Sequence, residues 1–469
     1  MKYFLFLFAC LNVLVVASAQ SLPQKLAGAV QALEADTTMK YALFSLYVVD
    51  AQTGKPVYEH NRNVGLAAAS TQKLFTSAAA FELLGKGYQY KTVIGYNGKI
   101  EAGVLKGDLH INGYGDPSLG SWRWKETKPD SILQRIVAIL KEKKISKITG
   151  RVLLNESAFS IQPIPGGWIW DDIGNYYGAG CWGINWRENQ YDLKLKPGNA
   201  EGDTTTVVGT SPELQEEGLV NLITTGKKGS GDNGYIYRAP YAQSGFTQGT
   251  VPPGATFTIS GSLPNPPLQF GRELEEAFLV QKIKPEGPWK LFIEKISNGR
   301  TWPAMQQQIG VLLSPPLDSI NYWFLRRSIN LYGEALVKTL AYEKEGYGST
   351  EKGVEVVRNF WQQQGIDKAA IHIQDGSGLS PQNRVTTGAL VQVLQYAKTR
   401  PWYGSFYNCL PEYNGMKMKS GSIGGARAFA GYHTAKDGKS YTYAIIVNNY
   451  DGSSGEAVKK MYKVLDLLK

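Results

Sequence analysis

The secondary-structure pattern of the sequence changes twice along the chain, and these changes constrain the fold more than any other feature. Residues 20–92 contain helical and hairpin patterns, whereas 93–299 contain short strand-like runs broken by Gly and Pro, most clearly GTVPPGATFTISGSLPNPP at 249–267. Helical periodicity returns after 315. Because single cores rarely grow beyond about 250–300 residues, a chain of 469 residues needs at least two units. The order predicts one α/β (α+β) domain, residues 20–92 and 300–469, interrupted over 93–299 by a β-rich insertion of one or two small domains.

The elements of the outer segments can be placed from their periodicity and turn residues. The first segment predicts a helix over 22–36, a hairpin from 42–49 and 56–58, and a helix over 70–84 that stops at Gly85. The last segment predicts helices over 323–342, 353–364, 386–398 and 454–468, and strands over 428–432 and 441–448 around a D-G turn.

The N-terminus has the composition of a secretory signal. MKYFLFLFACLNVLVVASAQ has one Lys, an apolar run and the A-x-A site Ala17-Ser18-Ala19, which predicts a signal peptide over 1–19 cleaved after Ala19. A lipoprotein signal at Cys10 is the rival interpretation, but apolar sequence continues past Cys10 to Val16. No later run has the length of about 18 apolar residues that a transmembrane helix needs. We therefore expect a periplasmic protein with at most peripheral membrane or wall association.

Several classes of chemistry lack the residues they require. The four His are too far apart for a local zinc motif, and the chain has neither C-x-x-C nor a phosphate-binding G-x-x-x-x-G-K-[ST]. A zinc hydrolase with a local motif, a thioredoxin-like redox site and a P-loop enzyme are therefore disfavoured. The net charge of +10 is spread along the chain, which gives no support to nucleic-acid binding. Cys181 and Cys409 are expected as buried free thiols, although an oxidising compartment would permit a disulfide.

A possible nucleophile lies at the start of the first strong helix. Ser70-Thr71-Gln72-Lys73 places a hydroxyl and an amine at i and i+3, on one helix face. A serine needs a neighbouring base before it can attack, and a lysine can serve once its pKa is lowered. Alone the motif is weak, because a first-turn serine is more often a helix cap.

Two further motifs strengthen this interpretation. Ser328-Ile329-Asn330 lies on the predicted helix 323–342, and Lys419-Ser420-Gly421-Ser422 precedes the last hairpin. In isolation the first is commonly an exposed polar pair and the second a flexible turn. The three motifs together, in this order and on elements of the required type, predict an active site in which Gly421 lets a ligand lie along a strand edge.

The sequence resembles the active-site serine penicillin-recognising enzymes, which carry S-x-x-K, S-x-N and K-T-G. More closely, it resembles the D-alanyl-D-alanine carboxypeptidase/endopeptidase family of low-molecular-mass penicillin-binding proteins, whose catalytic domain contains a large insertion. The resemblance rests on the three motifs and on further strings: Gly107-Asp108-Leu109, Gly115-Asp116-Pro117, Gly333-Glu334-Ala335 and Asp375-Gly376-Ser377-Gly378-Leu379-Ser380. It implies a serine β-lactamase/transpeptidase-like fold and a cofactor-free D,D-peptidase.

The resemblance also implies roles for the motif residues. Ser70 would attack the carbonyl between two D-alanines, Lys73 would take its proton, and Ser328 would relay a proton to the leaving amine. Asn330 would hold Lys73 and the substrate amide, and Lys419 would supply positive charge.

Other residues would bind the substrate. Ser420 and Ser422 would bind the terminal carboxylate, and the backbone N–H groups of Ser70 and Ser422 would form the oxyanion hole. The expected partners are peptidoglycan stem peptides and, as acylating inhibitors, β-lactams.

Some positions depart from the family pattern. K-S-G replaces K-T-G, which keeps the hydroxyl, and Ile329 stands where many relatives carry Asp. Asn155 stands where relatives place an Asp that meets the free amine of the stem peptide, so side-chain specificity is open. Asp375 and Ser377 are expected to shape the substrate pocket.

Two alternatives remain open at this point. A serine β-lactamase would share the acylation chemistry, but no E-x-x-x-N segment is placed to supply its deacylating base. A non-catalytic wall-binding relative would not need all of the motif residues. Tryptophans of the insertion are expected in its core rather than at a glycan site; they are Trp168, Trp170, Trp182 and Trp186.

Overall fold

The computed structural model describes residues 20–214, 218–299 and 301–469; the signal peptide predicted over 1–19 lies outside them. The helices within those ranges are α1 Leu22–Glu34, α2 Lys73–Leu83, α3 Pro129–Glu142, α4 Trp170–Ile173, α5 Pro266–Val280, α6 Phe292–Ser297, α7 Leu317–Arg326, α8 Asn330–Glu345, α9 Thr350–Gln363, α10 Thr387–Lys398, α11 Tyr403–Cys409 and α12 Ser454–Leu465. In the part of the chain covered by the structure, none of these combines the length and apolar character needed to cross a membrane.

The strands run from one end of the chain to the other. They are β1 Leu43–Asp50, β2 Pro56–His60, β3 Lys91–Tyr96, β4 Lys99–Glu101, β5 Val104–Lys106, β6 Leu109–Gly113, β7 Lys147–Ile148, β8 Val152–Asn155, β9 Gln190–Lys196, β10 Thr206–Ser211, β11 Leu219–Thr225, β12 Asn233–Tyr237, β13 Gly245–Val251, β14 Phe257–Ser262, β15 Lys284–Pro285, β16 Trp289–Leu291, β17 Gln307–Leu313, β18 Ile371–His372, β19 Arg384–Val385, β20 Glu412–Tyr413, β21 Met416–Ile423, β22 Ala426–Thr434 and β23 Ser440–Asn448.

Both ends of the chain build one antiparallel sheet, with strand order β2-β1-β23-β22-β21-β20. Because side chains alternate across a strand, neighbouring residues of β1 enter different cores. Val48 packs under α1 and α12, and Val49 packs in the core that contains α2, α8 and α10. The sheet is therefore covered on both faces, and the motif helix α2 lies on the second.

Between these end segments the chain forms further sheets, of order β16-β8-β6-β3-β17, β15-β7-β5-β4, β10-β9-β14 and β11-β13-β12. Aliphatic side chains of the first two sheets pack with α3 and α5 in a core of their own. β17 pairs with β3, so that Leu313 lies opposite Lys91. The domain division at 93 and 299 stays a prediction.

One predicted helix is wrong. The segment 323–342 is two helices, α7 and α8, with the chain turning between Arg326 and Asn330. Ser328 has φ 58, in the left-handed region that ends a right-handed helix. The apolar periodicity continues across the break and therefore conceals it.

A second correction concerns the tryptophans of the insertion. Trp168, Trp182 and Trp186 are buried as expected, but Trp170 is 47% exposed at the start of α4. Cys181 and Cys409 are free and buried, and burial raises the pKa of both thiols.

Candidate active site

Ser70 lies in a short 3-10 turn, Ala69–Gln72, which leads directly into α2. The spacing of three residues brings the Lys73 Nζ within 2.9 Å of the Ser70 Oγ. Ala69 has φ 46, a conformation that costs energy for a residue with a Cβ and that is concentrated at functional sites. The fold therefore holds the hydroxyl and the amine together on a constrained backbone.

Lys73 is fully buried, and its amine is surrounded by fixed acceptors. The Nζ donates to Asn330 Oδ1 at 2.6 Å and to the Ser377 carbonyl at 2.6 Å. Burial lowers the pKa of Lys73 to about 7, against the opposing effect of the Asp375 and Glu334 carboxyl groups. A neutral amine would keep both N–H bonds to these two acceptors and turn its lone pair toward Ser70.

The second motif meets the third at the turn between α7 and α8. Lys419 is buried, and its Nζ donates to Ser328 Oγ at 3.0 Å and to the Ser420 carbonyl at 2.9 Å. Burial and the nearby charge of Lys73 lower the pKa of Lys419 well below its ordinary value. The two amines thus compete for protonation, and an anion in the cleft would favour the charged form of Lys419.

The strand β21 carries the third motif beside the nucleophile. Its residues from Lys417 to Ile423 pair with β22 on one side, whereas β20 covers the other edge only at Met416 and Lys417. A Cβ on Gly421 would lie 2.1 Å from the Ala68 carbonyl oxygen, so only glycine permits this approach. The edge at Ser420 and Ser422 is therefore left for another extended chain.

The insertion supplies one wall of the site. The Tyr177 carbonyl accepts from Asn330 Nδ2 at 2.7 Å, which fixes the amide with its oxygen toward Lys73. The carboxylate of Glu188, also from the insertion, accepts from the hydroxyl of Tyr332 on α8 at 2.7 Å and from Arg123. The two parts of the chain therefore build the site together.

Asp375 and Ser377 lie behind the cleft and support the residues that line it. Both side chains are fully buried, and neither lines the cleft. The Asp375 carboxylate accepts from Gln72 Nε2, Trp168 Nε1, Asn383 Nδ2 and the backbone N–H groups of Gly378 and Ser380. These bonds fix the loop whose Ser377 carbonyl meets Lys73, so we expect positioning rather than contact with substrate.

These groups face a cleft of about 1350 Å³. Of the predicted site residues, Ser70, Ser328, Asn330, Ser420 and Ser422 line it. Lys73, Lys419 and Gly421 lie buried directly behind these. Asn155 lies elsewhere, in a separate cavity of about 240 Å³ beside Tyr114 and Tyr342. In the described residues, no three His, Cys, Asp or Glu side chains are grouped as metal ligands would be.

The D-Ala-D-Ala carboxypeptidase 3 (S13) family model matches residues 26–412. The chain belongs to this S13 family. Membership confirms the predicted resemblance and the class of enzyme, a D-alanyl-D-alanine carboxypeptidase. The matched range ends before Lys419, which the sheet brings to the site.

Relatives of this S13 chain cover nearly its whole length. It is 26% identical to a D-alanyl-D-alanine carboxypeptidase of Actinomadura sp. (strain R39), over 92% of this chain and 82% of the relative. It is also 26% identical to the D-alanyl-D-alanine carboxypeptidase DacB of Haemophilus influenzae, over 86% of this chain and 84% of the relative.

A solved structure shares the fold. Penicillin binding protein 4 (dacB) of Haemophilus influenzae superposes with a TM-score of 0.79 at 20% identity, over 94% of this chain and 98% of that one. A structure of that protein complexed with a novel β-lactam superposes with a TM-score of 0.74 at 19% identity, over 95% and 99%. The likeness confirms the predicted α/β fold class.

Glu334 is a site residue to which sequence reasoning gave no role. It is fully buried one helical turn after Asn330, and its Oε2 accepts from the Gly376 N–H at 3.2 Å. Burial and nearby Asp375 raise the pKa of Glu334 to about 8, against the effect of Lys73. In the sequence, Gly333-Glu334-Ala335 served only as evidence for the family. The signal that could have placed Glu334 in the site is a charged residue on an otherwise apolar helix face.

Proposed function

We propose that this chain is a serine D,D-peptidase that forms an acyl-enzyme on Ser70 and is sensitive to penicillin. The observation that carries the proposal is the fully buried Lys73 amine, 2.9 Å from the Ser70 hydroxyl and with its pKa lowered to about 7. Near neutral pH such an amine is free to accept a proton, which a surface lysine is not.

Acylation starts with the neutral form of Lys73. Its two N–H groups donate to Asn330 and Ser377, and the Ser70 O–H donates to the remaining lone pair. The Ser70 Oγ attacks the carbonyl carbon between two D-alanines while its proton passes to Lys73. The backbone N–H groups of Ser70 and Ser422 stabilise the resulting oxyanion, each by about 3–4 kcal/mol.

The breakdown of this intermediate uses the second motif. The Ser328 hydroxyl, held by Lys419, passes a proton to the nitrogen of the leaving group as the C–N bond breaks, and it takes up in exchange the proton that Lys73 removed from Ser70. Water then attacks the ester carbonyl carbon while Lys73 accepts its proton, and this proton passes to the Ser70 Oγ as the bond between Oγ and the acyl carbon breaks. Free D-Ala leaves when the substrate is a stem peptide, and an amino-bearing stem leaves when it is a cross-link.

The open edge of β21 supports an extended substrate. A peptide lying along it would place its terminal carboxylate near Lys419, with the hydroxyls of Ser420 and Ser422 as donors. The charge of Lys419 is then satisfied, which favours its protonated form over that of Lys73.

The physiological substrates we propose are peptidoglycan stem peptides, met in the periplasm after cleavage of the signal peptide at Ala19. β-lactams would acylate the same serine, and the Haemophilus influenzae protein of the same fold has been solved in complex with one. Rapid β-lactam hydrolysis is disfavoured, because the Glu188 carboxylate in the cleft is already bonded to Ser121, Arg123 and Tyr332.

The test is the intact mass of the mature protein after brief exposure to benzylpenicillin. We expect one stable drug adduct on the parent and on Ser157→Ala, a control at an exposed serine of the insertion, and none on Ser70→Ala. Rapid loss of the drug without adduct would indicate a β-lactamase instead. No adduct with the drug intact would overturn the proposal and favour a binding protein. Release of D-Ala from a D-Ala-D-Ala peptide completes the test.

A further inference from the structure

The insertion leaves one face of a sheet exposed beside the cleft. In the sheet β11-β13-β12, Tyr237 lies opposite Phe246 and Tyr235 lies opposite Gln248. Val220 and Leu222 continue the same two rows on β11 and are 56% and 55% exposed. The side chains on the other face, such as Ile236 and Val251, are buried in a core. One face of this sheet is thus largely apolar, and among the described residues its β11 side chains are exposed.

Aromatic rings are concentrated on the part of this face formed by β12 and α4. The Trp170 ring lies 5.9 Å from Tyr237, Tyr237 stacks on Phe246 at 4.7 Å and 15°, and Tyr235 lies 6.5 Å from Tyr237. Trp170 is 47% and Tyr235 42% exposed. We call Trp170, Tyr235, Tyr237 and Phe246 the aromatic platform.

The aromatic platform is continuous with the catalytic cleft. Tyr235 lines the cleft that contains Ser70, and so do Ile169 and Tyr176, which flank α4. The cleft that contains Ser70 therefore reaches the edge of the platform at Tyr235. The cleft, at about 1350 Å³, also exceeds what two D-alanine residues would fill.

Polar groups border the rings. The exposed Asp171 carboxylate lies near the Tyr237 hydroxyl, and Asp172 lines the cleft next to it. Gln248 is exposed between Tyr235 and Leu222. Flat rings beside carboxylate and amide groups suit a ligand with apolar C–H faces and many hydroxyls. An aliphatic protein surface would leave these polar groups unpaired.

We propose that the aromatic platform binds the glycan strand of peptidoglycan, a β-linked polymer of N-acetylated hexosamines. Trp170 and Tyr235 stack on the sugar rings, and Asp171 and Gln248 bind their hydroxyl and amide groups. The inference rests on the proposed function, because the stem peptide at Ser70 is covalently joined to such a strand. The platform therefore makes the enzyme prefer stems that are still attached to glycan.

The test compares two substrates in the full mature chain. Release of D-Ala is measured from a free stem peptide and from intact peptidoglycan, for the parent, Trp170→Ala and Tyr235→Ala. The control is Tyr347→Ala, because the Tyr347 ring is 49% exposed and is not part of the platform. We expect the ratio of peptidoglycan to free-peptide turnover to fall about three- to tenfold in the first two variants and to stay constant in the control.

Direct binding provides the second readout. Isothermal titration calorimetry of Ser70→Ala with tetra-N-acetylchitotetraose should show binding. Adding Trp170→Ala in the same background should weaken the affinity about three- to tenfold. An unchanged substrate ratio, or glycan binding that Trp170→Ala does not weaken, would overturn the inference. A change in oligomeric state of Trp170→Ala by light scattering would instead assign the face to a second copy. Absence of D-Ala release from free peptide would overturn the proposed function, which this design measures separately.

Discussion

At the scale of single residues, the site depends on amines that are costly to protonate where they lie. Lys73 is fully buried, and its two nearest acceptors are a carbonyl and an amide oxygen rather than a carboxylate. Hydrogen bonds of this kind orient the amine without restoring its ordinary pKa. Lys419 is buried near it, and each ammonium disfavours the other.

This arrangement predicts how acylation depends on pH. The pKa of Lys73 is lowered to about 7, so the neutral, basic amine becomes the main form as pH rises through that value. We expect the second-order rate of acylation by benzylpenicillin to rise between pH 5 and 8 and then to level off. Quenched-flow sampling with intact mass checks this.

The control is Lys73→Arg, whose guanidinium stays protonated and cannot act as the base. Its acylation rate should be lower by about 100-fold or more at every pH. A parent rate that is flat or falls over this range would contradict the role given to Lys73.

Glu334 makes a prediction about stability. Its pKa is raised to about 8 by burial, above the ordinary value of 4.5, so its contribution is present at low pH and is lost as pH rises through 8. Glu334→Gln keeps the shape and stays neutral. Urea unfolding at pH 5 and pH 9 should therefore show the free energy of unfolding of the parent falling relative to that of the variant. An equal change in both proteins would show that Glu334 is already ionised at pH 5.

At the scale of elements, the decisive contact joins β21 to the 3-10 turn before α2. Gly421→Ala would set a Cβ 2.1 Å from the Ala68 carbonyl, a backbone atom next to the nucleophile's turn. We expect acylation to slow about 100-fold, since displacements near 1 Å have such effects. The free energy of unfolding should fall by about 1–3 kcal/mol.

Gly424→Ala is the matched control for this variant. It lies three residues further along, and a Cβ there would meet nothing within 4 Å. Acylation kinetics and thermal unfolding of the pair separate the contact from the general effect of an added methyl group. Equal behaviour of the two variants would mean that the strand can shift away from Ala68 without cost.

The elements also show what sequence patterns can reveal about such a site. The three motifs were predictable, because Ser, Lys and Asn side chains at fixed spacing have a chemical meaning. The break at Ser328 was not, because no glycine marks its positive φ and the apolar period runs through it. The carbonyls of Ser377 and Tyr177, which orient Lys73 and Asn330, were also hidden, since a backbone carbonyl has no sequence signature.

At the scale of the whole molecule, a few buried bonds join the insertion to the catalytic sheet and its helices. The Tyr332 hydroxyl donates to Glu188 at 2.7 Å, with both groups buried. Tyr332→Phe removes this bond to a charged acceptor and should lower the free energy of unfolding by about 2 kcal/mol. Tyr41→Phe, at a ring 75% exposed, should have no measurable effect. Denaturant titration measures both, and an unaltered Tyr332→Phe would show that Arg123 and Ser121 alone satisfy Glu188.

The interrupted order of elements was readable from the sequence, but the packing of the insertion was not. Trp168 and Trp170 are two residues apart in one aromatic string, yet one is bonded to Asp375 and the other is exposed. Composition cannot separate them, because Trp168 lies in the loop before α4 whereas Trp170 is the first residue of that helix.

The pairing of β3 with β17 has a consequence for how such a chain can be altered. Lys91 and Leu313 face each other across a single strand spacing of roughly 5 Å. The segment between them therefore starts and ends at neighbouring points of one sheet, although Tyr177 and Glu188 within it also bond to α8. A segment of another length grafted between these two residues would keep the chain ends at this spacing, but it would have to supply its own partners for Asn330 and Tyr332.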